Sequence, residues 1–325
     1  MPVPDSPSEF RLRRRSFLAV ALAVPALAAC STATTSPATR ASTTQGRPTA
    51  PPKPALDTQK LDSRLAALEQ QYNARVGVAV DRPSDGAEYR HRGDETFAHC
   101  STFKVYAASA LLRLVAAGSA SLDTTVVIDA AAVVANSPVT AKAAGSPMSM
   151  GDLCLAALTQ SDNTAGNYLL HAIGGPPAIT AFARSVGDTT TRGDRFETDL
   201  NTAIPGDLRD TSTPAGLAAG FGATILGDGL QPDGRAQLQD WMRRSLTSAA
   251  RIRAGLPQGW TSADKTGSGD YATVNDAGVV WDPAGKPVVV AILTTTRSGR
   301  QDAPADGKLV VDITAAIIET FGVAH

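Results

Sequence analysis

Between Leu61 and Tyr72, apolar residues recur every three or four positions (Leu61, Leu65, Leu68, Tyr72). That is the period of a helix with one buried face, and it predicts an amphipathic helix over about 57–73. The period then changes. Residues 75–81 (Arg-Val-Gly-Val-Ala-Val-Asp) and 87–91 read as strands around the turn Pro83-Ser84-Asp85-Gly86. From Ser101 to about Gly118 an Ala- and Leu-rich run predicts a buried helix, and further helices are expected near 149–160, 162–173, 178–186, 214–226 and 233–246. Thr213-Pro214 is a helix start: an N-cap followed by proline in the first turn. Strands return at about 260–268, 277–282 and 287–296, the last two joined by Asp282-Pro283-Ala284-Gly285-Lys286. A final helix is expected from about Pro304 to Phe321. Strands at both ends with helices between predict an α/β (α+β) fold whose sheet is assembled from both termini, with an inserted helical region.

Composition narrows the class. The 325 residues are 43% hydrophobic and 19% charged, ample for a core and unlike a disordered, collagen-like or multi-spanning chain. Thirty basic against 31 acidic residues give no general attraction to nucleic acid. Three cysteines are too few for a disulfide scaffold, and four scattered histidines form no zinc motif. No metal or other cofactor is expected.

The first thirty residues read as an address. A basic cluster, Arg11 to Arg15, precedes an apolar run from Phe17 to Ala29 that is too short to span a bilayer comfortably. Arg14-Arg15-Ser16-Phe17-Leu18 resembles the twin-arginine export pattern, and Leu27-Ala28-Ala29-Cys30 resembles a lipobox, with Cys30 as the lipidated residue. A simple secretory peptide cut near Ala29 is the plainer alternative. Either reading makes residues 1–29 an export signal and places the mature protein outside the cytoplasm. It would be lipid-anchored on the outer face of the cytoplasmic membrane, periplasmic or extracellular. Residues 30–55 are rich in Ser, Thr, Ala and Pro without an acid, which reads as a disordered tether. Removing residues 1–29, with their four basic and two acidic groups, takes the formal charge from −1 to −3. The folded part is expected over 56–325.

Four local signals could carry chemistry. Ser101-Thr102-Phe103-Lys104 opens a helix, where residues three apart share a face, so the Lys104 ammonium can activate the Ser101 hydroxyl. Alone this is weak, since Ser262-Ala263-Asp264-Lys265 has the same spacing. Ser161-Asp162-Asn163 stands between two apolar helical stretches and is either a helix cap or a hydroxyl and amide facing a substrate. Lys265-Thr266-Gly267, followed by Ser268-Gly269, suits an anionic substrate approaching the backbone, or is simply a glycine-rich strand end. The polar stretch 192–210 reads as a long loop. Arg195 and Asp210 could pin its neck, and Glu197 with Asn201 could hold a water between carboxylate and amide.

Together, in this order and with separations of 60, 36 and 68 residues between Ser101, Ser161, Glu197 and Lys265, these signals resemble the class A serine β-lactamases. The resemblance covers about 57–325, and the tethered leader looks like that of actinobacterial members. It implies the β-lactamase/DD-peptidase fold, an antiparallel five-stranded sheet flanked by helices plus an all-helical subdomain, acting as a monomer on a small-molecule β-lactam. It implies Ser101 as nucleophile, Ser161 as proton relay with Lys104 and Lys265, and Glu197 with Asn201 as activator of the deacylating water. Asn163 would bind the substrate's side-chain amide. Lys265, Thr266 and Ser268 would face its carboxylate, and the N–H groups of Ser101 and Ser268 its oxyanion. Whether Lys104 or Glu197 is the acylation base stays open.

The chain departs from the family pattern in four places. Thr198 follows Glu197 where many members have a proline in a cis peptide. Val274 stands where many carry an arginine, a charge Arg251 could supply instead. Asn136 replaces an aromatic gatekeeper and should open the cleft entrance. Ala108 and Gly269 stand where family disulfides to Cys154 and Cys100 would need a partner, so two free thiols are expected. A cell-wall D-Ala-D-Ala peptidase and a β-lactam sensor that stays acylated are the alternatives. Glu197 near Asn201 argues against both. A Ser-His-Asp hydrolase is rejected, because His99 lies only two residues before Ser101 without a nucleophile-elbow pattern.

Overall fold

A computed structural model describes Leu56 and residues 58–322. The export signal, Cys30 and the tether expected over 30–55 lie outside the described residues. In chain order the elements are α1 (Thr58–Gln71), β1 (Ala74–Arg82), β2 (Ala87–His91), β3 (Phe97–Ala98), α2 (Lys104–Ala116), β4 (Thr125–Val127) and β5 (Pro147–Ser149). Then come α3 (Met150–Thr159), α4 (Asn163–Ile173), α5 (Pro177–Ser185), β6 (Thr211–Ser212), α6 (Pro214–Ile225), α7 (Pro232–Arg243) and α8 (Ile252–Gly255). The chain closes with β7 (Thr261–Gly269), β8 (Thr273–Trp281), β9 (Pro287–Thr296) and α9 (Lys308–Phe321).

Five strands form one antiparallel sheet in the order β2-β1-β9-β8-β7, so both ends of the folded part build it, as expected. Period-2 alternation sorts its side chains. Val288, Val290 and Ile292 of β9 face a core shared with Leu61, Leu65 and Leu68 of α1 and Ile313 and Ile317 of α9. Val289, Ala291 and Leu293 face the other core, with Leu217 and Phe221 of α6 and residues of α2 to α5 and α7. A buried leucine contributes roughly 1.5–3 kcal/mol, so α1 and α9 are held by packing more than by their own propensity.

Three boundaries differ from the sequence reading. The first turn after Cys100 is a 3₁₀ turn, Cys100–Phe103, and the α-helix begins only at Lys104. Strand β8 starts at Thr273, four residues before expected, because Asn275 and Asp276 are polar yet fully buried and hide the strand pattern. The last helix starts at Lys308, not Pro304. Thr213 does cap α6, its hydroxyl accepting from the Gly216 N–H. The two short sheets β3-β6 and β4-β5 were not foreseen; strands of two or three residues carry too little periodicity to read.

Candidate active site

The site lies where edge strand β7 meets the start of α2, the start of α4 and the loop 192–210. The 3₁₀ turn sets Ser101 one helical turn from Lys104, whose Nζ donates to Ser101 Oγ at 2.8 Å. Lys104 is fully buried; its Nζ also reaches the Ser161 carbonyl (2.9 Å), Asn163 Oδ1 (2.7 Å) and Glu197 Oε1 (2.8 Å). An ammonium has three protons for these four acceptors, so one contact is shared. Ser101 Oγ in turn donates to Glu197 Oε1 at 3.2 Å. Ser101 Oγ therefore has both the Lys104 nitrogen and a carboxylate within proton-transfer reach.

The Ser161-Asp162-Asn163 triplet is a helix cap whose two outer residues also join the lysine cluster. Asp162 caps α4, its Oδ1 accepting from the Ala165 N–H and its Oδ2 from the amides of Val139 and Thr140. Its neighbours point into the site: Asn163 to Lys104, and Ser161 Oγ to Lys265 Nζ at 2.9 Å. Ser161 (φ 57°) and Cys100 (φ 47°), just before Ser101, hold left-handed backbone that residues other than glycine seldom adopt. Such outliers concentrate where a site over-determines the chain. The other Ser-x-x-Lys sequence, Ser262 to Lys265, lies on β7, where an odd spacing puts the two side chains on opposite faces.

On β7, Lys265 is fully buried and donates to Ser161 Oγ and to the Thr266 carbonyl (2.8 Å). Burial, reinforced by the charge of Lys104, pushes its pKa well below the ordinary lysine value. Thr266 Oγ1 meets Thr247 Oγ1 at 2.7 Å. Arg251 comes in behind the strand, donating to the carbonyls of Gly267 (2.7 Å) and Asn275 (2.6 Å) and to Ser268 Oγ (2.5 Å). Gly269 is where β7 squeezes past the loop: a Cβ there would stand 2.5 Å from the Asn201 carbonyl and 2.8 Å from Cys100 Sγ. Cys100 and Cys154 are both buried, unpaired thiols, as expected, and burial raises both pKa values. Asn136 is exposed.

The neck of loop 192–210 is pinned by Arg195 Nε and Asp210 Oδ2 at 2.6 Å, while Asp210 Oδ1 accepts from the amides of Asp194 and Arg195. The Glu197–Thr198 peptide is cis. Asn201 Nδ2 donates directly to Glu197 Oε2, leaving Asn201 Oδ1 buried without a hydrogen-bond partner among the described residues. Asn167 of α4 escaped the sequence reading. Its Oδ1 accepts from the Glu197 N–H (2.8 Å) and its Nδ2 donates to the Glu197 carbonyl (3.0 Å), clamping the residue that carries the carboxylate. The only signal was an amide side chain among Ala165, Gly166, Tyr168 and Leu169.

Ser101, Lys104, Ser161, Asn163, Glu197, Asn201 and Lys265 thus share one hydrogen-bonded cluster, with Thr266, Ser268 and Arg251 along its β7 side. The arrangement can activate a hydroxyl, relay a proton through a second hydroxyl and present cations to an anionic substrate.

The family model described as the β-lactamase enzyme family matches residues 60–321. Beta-lactamase AST-1 of Nocardia asteroides is 44% identical over 316 residues, spanning 96% of this chain and 97% of the relative. Beta-lactamase FAR-1 of Nocardia farcinica is 45% identical over 258 residues, 79% of this chain and 81% of its own. Among solved structures, a β-lactamase from Desulfarculus baarsii superposes with a TM-score of 0.80 at 44% identity, covering 83% of this chain and all of that one. An ancestral class A β-lactamase gives a TM-score of 0.77 at 46% identity, covering 80% of this chain and all of its own. With its five-stranded antiparallel sheet, its helical half and the Ser101–Lys104–Glu197 cluster between them, the chain belongs to the class A β-lactamases.

Proposed function

We propose that the protein hydrolyses the β-lactam ring of penicillins and cephalosporins through an acyl-enzyme on Ser101, and so confers resistance to them. The observation that carries this reading is the convergence of Lys104 Nζ and Glu197 Oε1 on Ser101 Oγ, within 2.8 and 3.2 Å. Ser101 Oγ attacks the ring carbonyl as its proton passes to Glu197, or to Lys104 once that ammonium has given a proton to Glu197 across their 2.8 Å contact. The N–H groups of Ser101 and Ser268 receive the developing oxyanion. The C–N bond breaks, and the ring nitrogen takes a proton from Ser161, which is recharged through Lys104 or Lys265. In the second half, Glu197 removes a proton from a water held with Asn201. The hydroxide attacks the ester, and Ser101 leaves with its proton restored.

Asn163 uses Oδ1 on Lys104 and one Nδ2 proton on the Ala135 carbonyl at 3.0 Å, which leaves the second Nδ2 proton for the substrate's side-chain amide. Lys265, Thr266 and Ser268 hold the substrate carboxylate, with the Arg251 charge behind Ser268. The protein acts as a monomer after export. The Arg14-Arg15 pattern and Cys30 support anchoring to the outer face of the membrane, with residues 30–55 as the tether.

Time-resolved turnover of a chromogenic cephalosporin tests the chemistry. Wild type gives sustained turnover, Ser101→Ala gives none, and Glu197→Ala gives a stoichiometric burst. A single burst from wild type overturns the proposal in favour of a protein that acylates and stalls.

A further inference from the structure

The Lys265 strand and its neighbour β8 carry two carboxyl groups that the mechanism does not use. Asp264 on β7 and Asp276 on β8 are both fully buried. Asp264 pairs with Gly278 and Asp276 with Thr266 in the ladder, so the two acids are diagonal neighbours across an antiparallel pair. Gly278 leaves room for Asp264, because a Cβ there would stand 2.8 Å from the Asp264 Cβ.

Their four oxygens are poorly served. Asp276 Oδ2 accepts from the Ile252 N–H (3.1 Å) and Ser248 Oγ (3.3 Å). Asp276 Oδ1 and both Asp264 oxygens have no hydrogen-bond donor among the described residues. Among the described residues the cation in ion-pair contact with the pair is Arg253, at 3.7 Å from Asp264 Oδ1. Two bare, buried carboxylates side by side are costly in desolvation and repulsion; one proton between them removes the repulsion and supplies the missing donor.

We infer that Asp264 and Asp276 share one proton, carried on Asp276 Oδ1 and donated to Asp264, and that the pair positions Arg251 for the substrate carboxylate. The inference rests on the proposed function in placing Arg251 beside that carboxylate. The charged groups that act on the pair are Arg251 and Arg253, with Lys265 felt across β7, its side chain on the opposite face of the strand from Asp264. Burial, with the Asp264 charge added, raises the pKa of Asp276 well above the usual carboxylate range. Positioning follows from what Asp276 Oδ2 holds. Ile252 follows Arg251 directly, and the Ser248 carbonyl accepts from the Arg251 N–H at 2.9 Å. The segment that aims Arg251 at Ser268 is thus fastened on both sides to one carboxyl oxygen.

The test compares Asp276→Asn, Asp276→Ala, Arg251→Ala and the double variant Asp276→Ala/Arg251→Ala in the purified protein. Asparagine keeps both functions, Oδ1 accepting from Ile252 and Nδ2 donating to Asp264, so kcat and KM should stay within about threefold of wild type. Alanine should raise KM for a carboxylate-bearing β-lactam about tenfold with kcat little changed, and should add nothing to Arg251→Ala. The wild-type infrared spectrum at neutral pH should hold a protonated-carboxyl C=O band that vanishes in Asp276→Asn. That band is read without substrate, so it separates failure of the pair from failure of the proposed activity. If Asp276→Ala does not fold, the asparagine variant and the band decide. Overturning results are a missing band, an asparagine variant as impaired as alanine, or KM effects that simply add.

Discussion

Asn167→Ala removes both bonds that hold the Glu197 backbone, the 2.8 Å acceptance from its N–H and the 3.0 Å donation to its carbonyl. Each such bond contributes about 0.5–1.5 kcal/mol net, so roughly 1–3 kcal/mol of the docking of Glu197 onto α4 is lost. Falling wholly on the productive position of the carboxylate, this slows turnover about 5- to 150-fold, and a displacement of about 1 Å alone reaches the upper end. Global stability should change less. Alanine is the better helix former by up to about 0.7 kcal/mol, and each kcal/mol lost lowers the melting temperature by only about 2–4 °C in a domain of this size. The assay is kcat on a chromogenic cephalosporin beside a thermal melt of the same sample. A kcat within twofold of wild type, or a loss matched by the fraction unfolded, would refute the clamp.

Lys265 has its pKa lowered by burial and Lys104, so its charge is lost below the pH at which a solvated lysine would lose it. The kcat/KM for a carboxylate-bearing substrate should fall on the alkaline side below the ordinary lysine value, and Lys265→Arg should move that limb upward; unchanged limbs would contradict the assignment. For stability the sign is opposite: the unfolded chain binds more protons between the two pKa values, so stability due to this group rises with pH there. Asp210→Ala leaves Arg195 half of a broken, partly buried ion pair, a loss of about 3–5 kcal/mol where burial is complete and less here. Limited proteolysis should then cut within 192–210, and an uncut loop would show that other contacts hold it. Gly269→Ala puts a Cβ 2.5 Å from the Asn201 carbonyl. β7 and the loop must part, and relative kcat/KM should shift toward bulkier substrates; an unchanged ratio counts against that contact as a determinant. Cys100 and Cys154 are both 0% exposed, so peptide mapping should find neither alkylated until the protein is unfolded. Their recovery as one disulfide-linked peptide would contradict the two-thiol reading.

Much of the site was legible because each piece is local. Ser101 and Lys104 are one turn apart, Ser161 and Asn163 flank one cap, and Lys265 to Ser268 run along one strand. The helices of both cores were legible for a similar reason: three- and four-residue spacing in α1 reports its single buried face. What stayed hidden depends on contacts distant in sequence. Asn167 acts on a residue 30 positions away, and nothing near it marks the partner. The pattern of β8 is readable only from about 277 because Asn275 and Asp276, though polar, are buried in service of other elements. Asn275 bonds the Ala98 carbonyl, and Asp276 the Ile252 amide. The resemblance offers Arg251 in place of the arginine missing at Val274, and only the fold places its guanidinium against Ser268.

The central claim is that Ser101 is acylated by a β-lactam and released through Glu197. Intact-mass spectrometry of wild type and Glu197→Ala after mixing with a penicillin tests it most directly. Glu197→Ala should carry a long-lived adduct of one penicillin mass, mapped to the peptide carrying Ser101, and wild type should return to its unmodified mass as the penicillin is consumed. An adduct on another residue, no adduct in Glu197→Ala, or a wild-type adduct that persists would contradict it.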